Sequence, residues 1–410
     1  MPKKRILYIQ HSGALGGSVM SLLYTMQALN KQEYEPIVAL ARPSTELINF
    51  YQQAGFKTIP WEGITLWDHS TVAPKPLYAP STWKHLAKAA LNWKKSKQRT
   101  LELVEFVKPD IVHLNSMPLS SSAEALIEAG IPTVWHVREP PFPDRGLRYQ
   151  KIRSLMMRVN ELIFISESDR QAWVQGARGV VVHNFVDFDR FSQPTESGEQ
   201  MRNKLGISKD APVLLYVGGL TPIKGSFVLL EALGLLKKDF PDLRCLMLGF
   251  DCQSSGRLVS TVARTLLPFV GYGTLSQRIE RKIDELQLHD ICVQLPFEPN
   301  IVPFYAACDI LVFPATKPHF ARPIIEAGAM SKPVVASRLG GAIELVQDGE
   351  TGLLVNPSNH YDLANSISKI LENNLLSQQM GKSSFIKAKK NFASEHQIAK
   401  ITDVYKGLLK

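Results

Sequence analysis

Residues 307–355 read ACDILVFPATKPHFARPIIEAGAMSKPVVASRLGGAIELVQDGETGLLV. Three short apolar runs stand out: Ile310–Phe313, Pro333–Ala336 and Gly352–Val355. Each has strand length and is bounded by turn formers, which predicts buried strands. Pro323 suits the first turn of a helix between the first two runs. Backbone amides from Ala321 to Ile325 then lie at a strand's carboxyl end, and Glu326, one turn in, is an acceptor for ligand hydroxyls. Gly340 and Gly341 permit a second tight loop, and Gly349 and Gly352 bracket the turn into the last strand.

The same alternation runs outward in both directions. Further strands are predicted over Arg5–Gln10, Glu35–Ala41, Ile111–Leu114, Thr133–His136, Leu162–Ser166, Val213–Val217, Arg244–Leu248 and Ile291–Gln294. Helical patterns intervene, such as Ser18–Leu29 and Ser121–Ala129. Strand–helix alternation on this scale predicts an α/β chain with doubly wound parallel sheets. The pattern pauses between about Phe185 and Asp210, where DFDRFSQPTESGEQ reads as a linker. We therefore expect two Rossmann-like domains, 1–190 and 191–385, and a helical segment over 386–410 that returns to the first domain. Ligands of such sheets bind beyond the carboxyl ends of the strands.

Composition narrows the classes. Of 410 residues, 45% are hydrophobic and 21% charged, and mean hydropathy is −0.06, a globular mix rather than a disordered one. No apolar run reaches the roughly 18 residues of a spanning helix. The apolar stretch after MPKKR is too short for a signal peptide. A cytoplasmic protein is expected, peripheral on the inner face of a membrane if its basic surface meets lipid. The four cysteines form no C-x-x-C pair and read as reduced thiols. The net charge of +9 is uneven: Ser70–Leu101 holds seven bases and no acid. Such a block suits an anionic partner or a merely solvated face. Four of the six tryptophans fall beside it, and Trp83, Leu86, Ala90 and Trp93 recur at helical spacing, a pattern fit for an anionic membrane interface. No nucleic-acid-binding motif is present.

Two glycine loops follow strands. HSGALGGS carries Gly13, Gly16 and Gly17, and matches neither a dinucleotide fingerprint nor a Walker loop. VGGLTPIKG carries Gly218, Gly219 and Lys224, a lysine placed to meet a phosphate at a helix start. No Asp-x-Asp pair follows a strand, so no metal is called for.

Taken with these loops, FARPIIEAGAMSKPVVAS and ELVQDGETGLLV resemble the signature of family-four retaining glycosyltransferases (glycosyl transferases group 1) with the GT-B fold, two Rossmann-like domains facing across a cleft. DIVHLNS at Asp110–Ser116, WHVREP at Trp135–Pro140, FISESDR at Phe164–Arg170 and HNFVDFDRF at His183–Phe191 extend the likeness over nearly the whole chain. The resemblance implies a nucleotide-diphospho-sugar donor on the second domain and an acceptor, a glycan or lipid-linked molecule of cell-surface polysaccharide or glycolipid assembly, on the first. It implies His136 and Glu326 as catalytic residues. It also implies donor contacts from Gly16, Gly17, Lys224, His319, Phe320, Ala321, Arg322, Pro323, Ile324 and Glu326. Acceptor contacts are expected from His113, Arg138 and Glu139. Retention, no metal and no cofactor complete the expectation.

Two positions depart from the family pattern. Pro318 stands where the first glutamate of the Glu–seven residues–Glu motif belongs, with His319 as the nearest polar side chain. Gly219 stands where an arginine is usual. The alternatives kept open are a non-catalytic sugar-nucleotide or glycan-binding protein of the same architecture and a nucleotide-sugar epimerase.

Overall fold

Alternate residues of the first strand, β1 (Lys4–Gln10), belong to different cores: Leu7 and Ile9 to one, Ile6 and Tyr8 to the other. A strand apolar on both faces is the mark of a parallel sheet covered on both sides. The computed structural model describes residues 2–67, 80–141, 146–176, 178–219, 222–250 and 275–410. It divides into two units, Met1–Phe185 with Phe392–Lys410, and Val186–Asn391. Lys75 of the basic block, Cys252, and Leu220 and Thr221 of VGGLTPIKG lie outside the described residues.

Unit 1 holds seven parallel strands: β1, β2 (Tyr34–Leu40), β3 (Lys57–Pro60), β4 (Ile111–Asn115), β5 (Thr133–Val137), β6 (Glu161–Phe164) and β7 (Val180–Val181). Their order is β3-β2-β1-β4-β5-β6-β7. The order reverses between β1 and β4, which makes the crevice beyond those two strands the ligand position of this sheet. The helix Ser394–Leu408 belongs to the same unit. Its Ile401, Val404 and Tyr405 are buried in the core that holds Ile6 and Tyr8.

Unit 2 holds six parallel strands: β8 (Val213–Val217), β9 (Arg244–Leu248), β10 (Cys292–Leu295), β11 (Ile310–Phe313), β12 (Val334–Ser337) and β13 (Gly352–Val355). The order is β10-β9-β8-β11-β12-β13, so the switch falls between β8 and β11. Both sheets therefore bear out the two Rossmann-like domains expected from the alternation.

Local differences have local causes. The expected linker carries two short helices, Phe188–Ser192 and Gly198–Lys204. Asp187 caps the first, and Ser197 caps the second through a reciprocal box with Gln200. Phe191 and Met201 are buried and give both helices an apolar anchor. Arg202 Nη2 lies 3.1 and 3.0 Å from the two carboxylate oxygens of Asp309, pinning the segment to the start of β11. The apolar face expected from Trp83 to Trp93 is also broken. One helix ends at Leu91 and a second, Trp93–Val107, begins beyond Asn92, so the four residues do not share one period. Trp83 and Leu91 are exposed, at 60% and 84%. Trp93 instead donates its indole hydrogen to Glu124, under Lys151 Nζ 3.9 Å from its ring. Among the described residues no helix is long and apolar enough to cross a membrane. Cys245, Cys292 and Cys308 are free thiols.

Candidate functional site

In unit 2 the chain leaves β8 through Gly218 and Gly219 and makes a single 3-10 turn, Pro222–Lys224, before the helix Ser226–Leu236. Gly225 has φ 81°, and a Cβ there would lie 1.8 Å from the Pro314 carbonyl oxygen, so only glycine fits. Thr316 N donates to the Ile223 carbonyl at 2.8 Å. The loops after β8 and β11 are thereby fastened together across the switch point. Gly219 has φ 56°, and a Cβ there would meet the Gly249 carbonyl oxygen at 2.9 Å. A side chain at this position would press on the Gly249 backbone.

Pro323 opens the helix Arg322–Ala329, whose start has no side-chain cap. Glu326 is buried. Its Oε1 accepts from Arg322 Nε at 2.7 Å, and its Oε2 from Tyr305 Oη at 2.9 Å. Arg322 is thus turned onto the helix rather than into solvent, and a charged pair is held inside the fold. Lys224 is half-buried. Burial pushes its amine below the usual lysine range, with the Glu326 carboxylate pulling the other way. His319 Nδ1 lies 3.0 Å from the Lys317 carbonyl, which can only accept. Nδ1 therefore carries the proton. Burial pushes the ring down to about 4, against the pull of that carbonyl and with help from Lys224. A neutral His319 then bears a lone pair on Nε2, and this buried atom has no hydrogen-bond partner among the described residues. Gly340 and Gly341 back the loop: a Cβ on Gly341 would come within 2.7 Å of Phe320 Cδ2. Ala321 and Ile324 are buried beside this start, and Pro323 is half-buried.

In unit 1 the loop after β1 leads into the helix Gly17–Ala28, again without a side-chain cap. A Cβ on Gly16 or Gly17 would find nothing within 4 Å, so open space adjoins this backbone. His113 ends its imidazole between Tyr405 Oη, 2.7 Å from Nδ1, and His136 Nδ1, 3.3 Å from Nε2. Burial and the Arg138 charge push the His113 ring down to about 3, and the His136 ring is lowered by the same two causes and by His113. Arg138 reaches Asn115 Oδ1 at 2.7 Å, Asn184 Oδ1 at 3.0 Å and His136 Nδ1 at 3.4 Å. Glu139 accepts from Ser116 Oγ and, at 3.0 Å, from Met117 N. Ser116 has φ 114°, a strained value for a non-glycine residue, and the Glu139 carboxylate holds that turn. Glu139 serves the loop's own shape, whereas His136 and Arg138 line a cavity with Ser21, Thr25, His183 and Asn184.

The structure thus gathers Lys224, His319, Arg322 and Glu326 in unit 2, and Gly16, Gly17, His113, His136 and Arg138 in unit 1. Sequence reasoning missed Tyr305, Tyr405 and Asn184. Asn184 had a signal, since it follows a strand in HNF. The two tyrosines had none, because their partners lie far away in the chain. Among the described residues no three His, Cys, Asp or Glu side chains cluster as a metal site would.

Comparison with known proteins supplies the family. The model described as "Glycosyltransferase Family 4" matches residues 15–190, and "Glycosyl transferases group 1" matches residues 197–386. A D-inositol 3-phosphate glycosyltransferase of Streptomyces bingchenggensis is 28% identical over 232 residues, 55% of this chain and 47% of the relative. One from Corynebacterium urealyticum is 31% identical over 200 residues, 48% of this chain and 43% of the relative. The chain spans about half the length of the curated relatives it matches. Among solved structures, Anabaena HepE in complex with UDP and glucose superposes with TM-score 0.77 at 20% identity, covering 98% of this chain and 99% of that one. A glycosyltransferase from Rickettsia africae gives 0.75 at 22%, covering all of both chains. Sucrose-phosphate synthase from Thermosynechococcus elongatus gives 0.73 at 18%, covering 99% of each. These likenesses bear on the fold, which is GT-B.

Proposed function

This chain belongs to the glycosyltransferases of group 1 and family 4, and on that premise we propose that it moves a sugar from a nucleotide-diphospho-sugar to a glycan or lipid-linked acceptor. The observation that carries the reading is the cluster at the switch point of unit 2. There an acid held by two partners, Glu326, stands with a desolvated lysine, Lys224, and a buried histidine lone pair, His319 Nε2. Negative charge grows on the diphosphate as the anomeric bond breaks, and donors already aimed at it supply most of the stabilisation. Lys224 is suited to that charge. Glu326 is assigned to the nucleotide ribose. His319 Nε2 is assigned to a donor sugar hydroxyl, the duty of the acid that Pro318 lacks. We assign the acceptor to unit 1 and His136 to hydrogen bonding rather than nucleophilic attack. In a retaining transfer without metal, a phosphate oxygen of the leaving group takes the acceptor proton.

A panel of nucleotide-sugars tests this. The preferred donor is expected to raise the melting temperature, because binding stabilises the state it recognises. Lys224→Met is expected to abolish that shift and the release of nucleotide diphosphate. A panel without any shift, or Lys224→Met with wild-type turnover, would overturn the assignment. A new sugar formed from donor alone would point to the epimerase, and binding without turnover to the non-catalytic protein.

We further infer that unit 1 works at an anionic membrane surface in the synthesis of cell-surface polysaccharide or glycolipid. Exposed Trp83 and Leu91 lie among exposed Lys84, Lys88, Lys94 and Lys95, an apolar edge with charge complementary to acidic lipid. Lys94→Glu with Lys95→Glu is expected to release the protein from vesicles containing phosphatidylglycerol. Flotation that ignores both lipid charge and this double variant would remove the idea.

A further inference from the structure

Four side chains in unit 1 form one hydrogen-bonded chain leading to His136. Tyr8 Oη lies 2.8 Å from Tyr405 Oη, Tyr405 Oη 2.7 Å from His113 Nδ1, and His113 Nε2 3.3 Å from His136 Nδ1. All four residues are buried. The far atom, His136 Nε2, is buried with no partner among the described residues, and the ring lines the cavity with Arg138, His183 and Asn184.

The direction of every proton in this chain follows from one group. Arg138 Nη2 lies 3.4 Å from His136 Nδ1, and a guanidinium can only donate. His136 Nδ1 is therefore an acceptor, and a neutral ring must then carry its proton on Nε2. His113 Nε2 faces the same lone pair, so it must donate too, which leaves His113 Nδ1 as an acceptor. Tyr405 fills that acceptor with its single hydroxyl proton, and its own oxygen accepts from Tyr8. From Tyr8 Oη to His136 Nδ1 every donor then meets an acceptor, and the His136 Nε2–H alone is left for a ligand. Both phenols are held well above their ordinary range by burial and stay protonated.

We propose that Tyr405, acting through His113 as a positioning residue, shares with Arg138 the task of holding His136 in its Nε2–H tautomer, so that His136 offers the cavity a hydrogen-bond donor and no base. The ligand atom it suits is an oxygen acceptor of a sugar substrate; this clause and the kcat readout rest on the glycosyl-transfer reading. The last helix, Ser394–Leu408, thereby acts on the site without touching the ligand.

The test has one arm that needs no turnover. Long-range proton–nitrogen correlation on the histidine-labelled free protein reads the tautomer of each ring, with His136 assigned by its loss in His136→Gln. Wild type is expected to show Nε2–H on both His113 and His136. Tyr405→Phe is expected to bring in the Nδ1–H form and to lower kcat roughly two- to tenfold, the worth of one neutral hydrogen bond, with the donor KM unchanged. His113→Gln keeps an acceptor towards Tyr405 and a donor towards His136, so it is expected to retain the tautomer. His113→Leu loses both, and the His113 pair decides the matter should Tyr405→Phe not fold. His136 found mainly as Nδ1–H in wild type, or His113→Leu matching His113→Gln in tautomer and kcat, overturns the proposal. The expected spectra with no turnover on any donor would leave the tautomer assignment standing and remove the transferase reading instead.

Discussion

Glu326 has both carboxylate oxygens engaged inside the fold, one by Arg322 and one by Tyr305. Its removal therefore mixes two effects. Glu326→Ala strands the buried Arg322 charge and is expected to cost about 3–5 kcal/mol of stability. Glu326→Gln keeps an acceptor for Arg322 and most of the shape. It is expected to unfold in urea much closer to wild type and to lose donor affinity through the missing charge. Comparing the two urea midpoints checks this. The buried histidines give a second prediction. His113 and His319 are pushed down to about 3 and about 4, and His136 is lowered too, each chiefly by burial. Below about pH 6.5 the unfolded chain binds protons that the folded rings refuse, so stability is expected to fall as pH falls. The full slope is about 1.4 kcal/mol per pH unit for each such histidine. Urea midpoints at pH 7 and pH 5 measure it; equal midpoints would mean these rings are not held neutral.

At the scale of the element, two glycine loops make opposite demands. Gly341 lies against Phe320, and Gly341→Ala is expected to push that ring aside at a cost of about 1–3 kcal/mol. Gly16 adjoins open space, so Gly16→Ala is expected to change stability by less than about 0.5 kcal/mol. Thermal melts of the two variants check the contrast. The strands around both loops were legible in the sequence, because central strands of a parallel sheet are apolar on both faces and cannot be mistaken for surface helix. The strands at the two ends of the first sheet, β3 and β7, were not. Four and two residues long, they carry too little pattern. The break at Asn92 escaped notice because periodicity reports which residues share a face only while one helix continues. The lysine, the histidine and the glutamate of unit 2 were legible because each follows a strand or opens a helix. Tyr305 and Tyr405 were not, since a hydrogen bond to a distant residue leaves no trace in local spacing.

At the scale of the molecule, the chain quits unit 1 at Phe185 and re-enters it at Phe392. The returning helix contributes Ile401, Val404 and Tyr405 to a core built otherwise from the first 182 residues. Each fully buried large apolar side chain is worth about 1.5–3 kcal/mol, and domain stability is about 5–15 kcal/mol. A chain ended at Asn391 is therefore expected to lose the cooperative unfolding of unit 1 while unit 2 still melts as a unit. Calorimetry of the truncated protein checks this; two intact transitions would contradict the shared core. The two-unit division itself was legible from the pause after Phe185, because a linker interrupts the alternation that each sheet imposes.

That late return also sets an order of events on the ribosome. At about 5–20 residues per second, synthesis of Val186–Asn391 keeps the first unit waiting roughly 10–40 s for its closing helix. Through that interval Tyr8 and His113 have no phenol to meet, and the strand surface meant for Ile401 lies bare to chaperones and to neighbouring nascent chains. A message cut short anywhere before codon 405 yields a polypeptide in which His136 lacks that remote support.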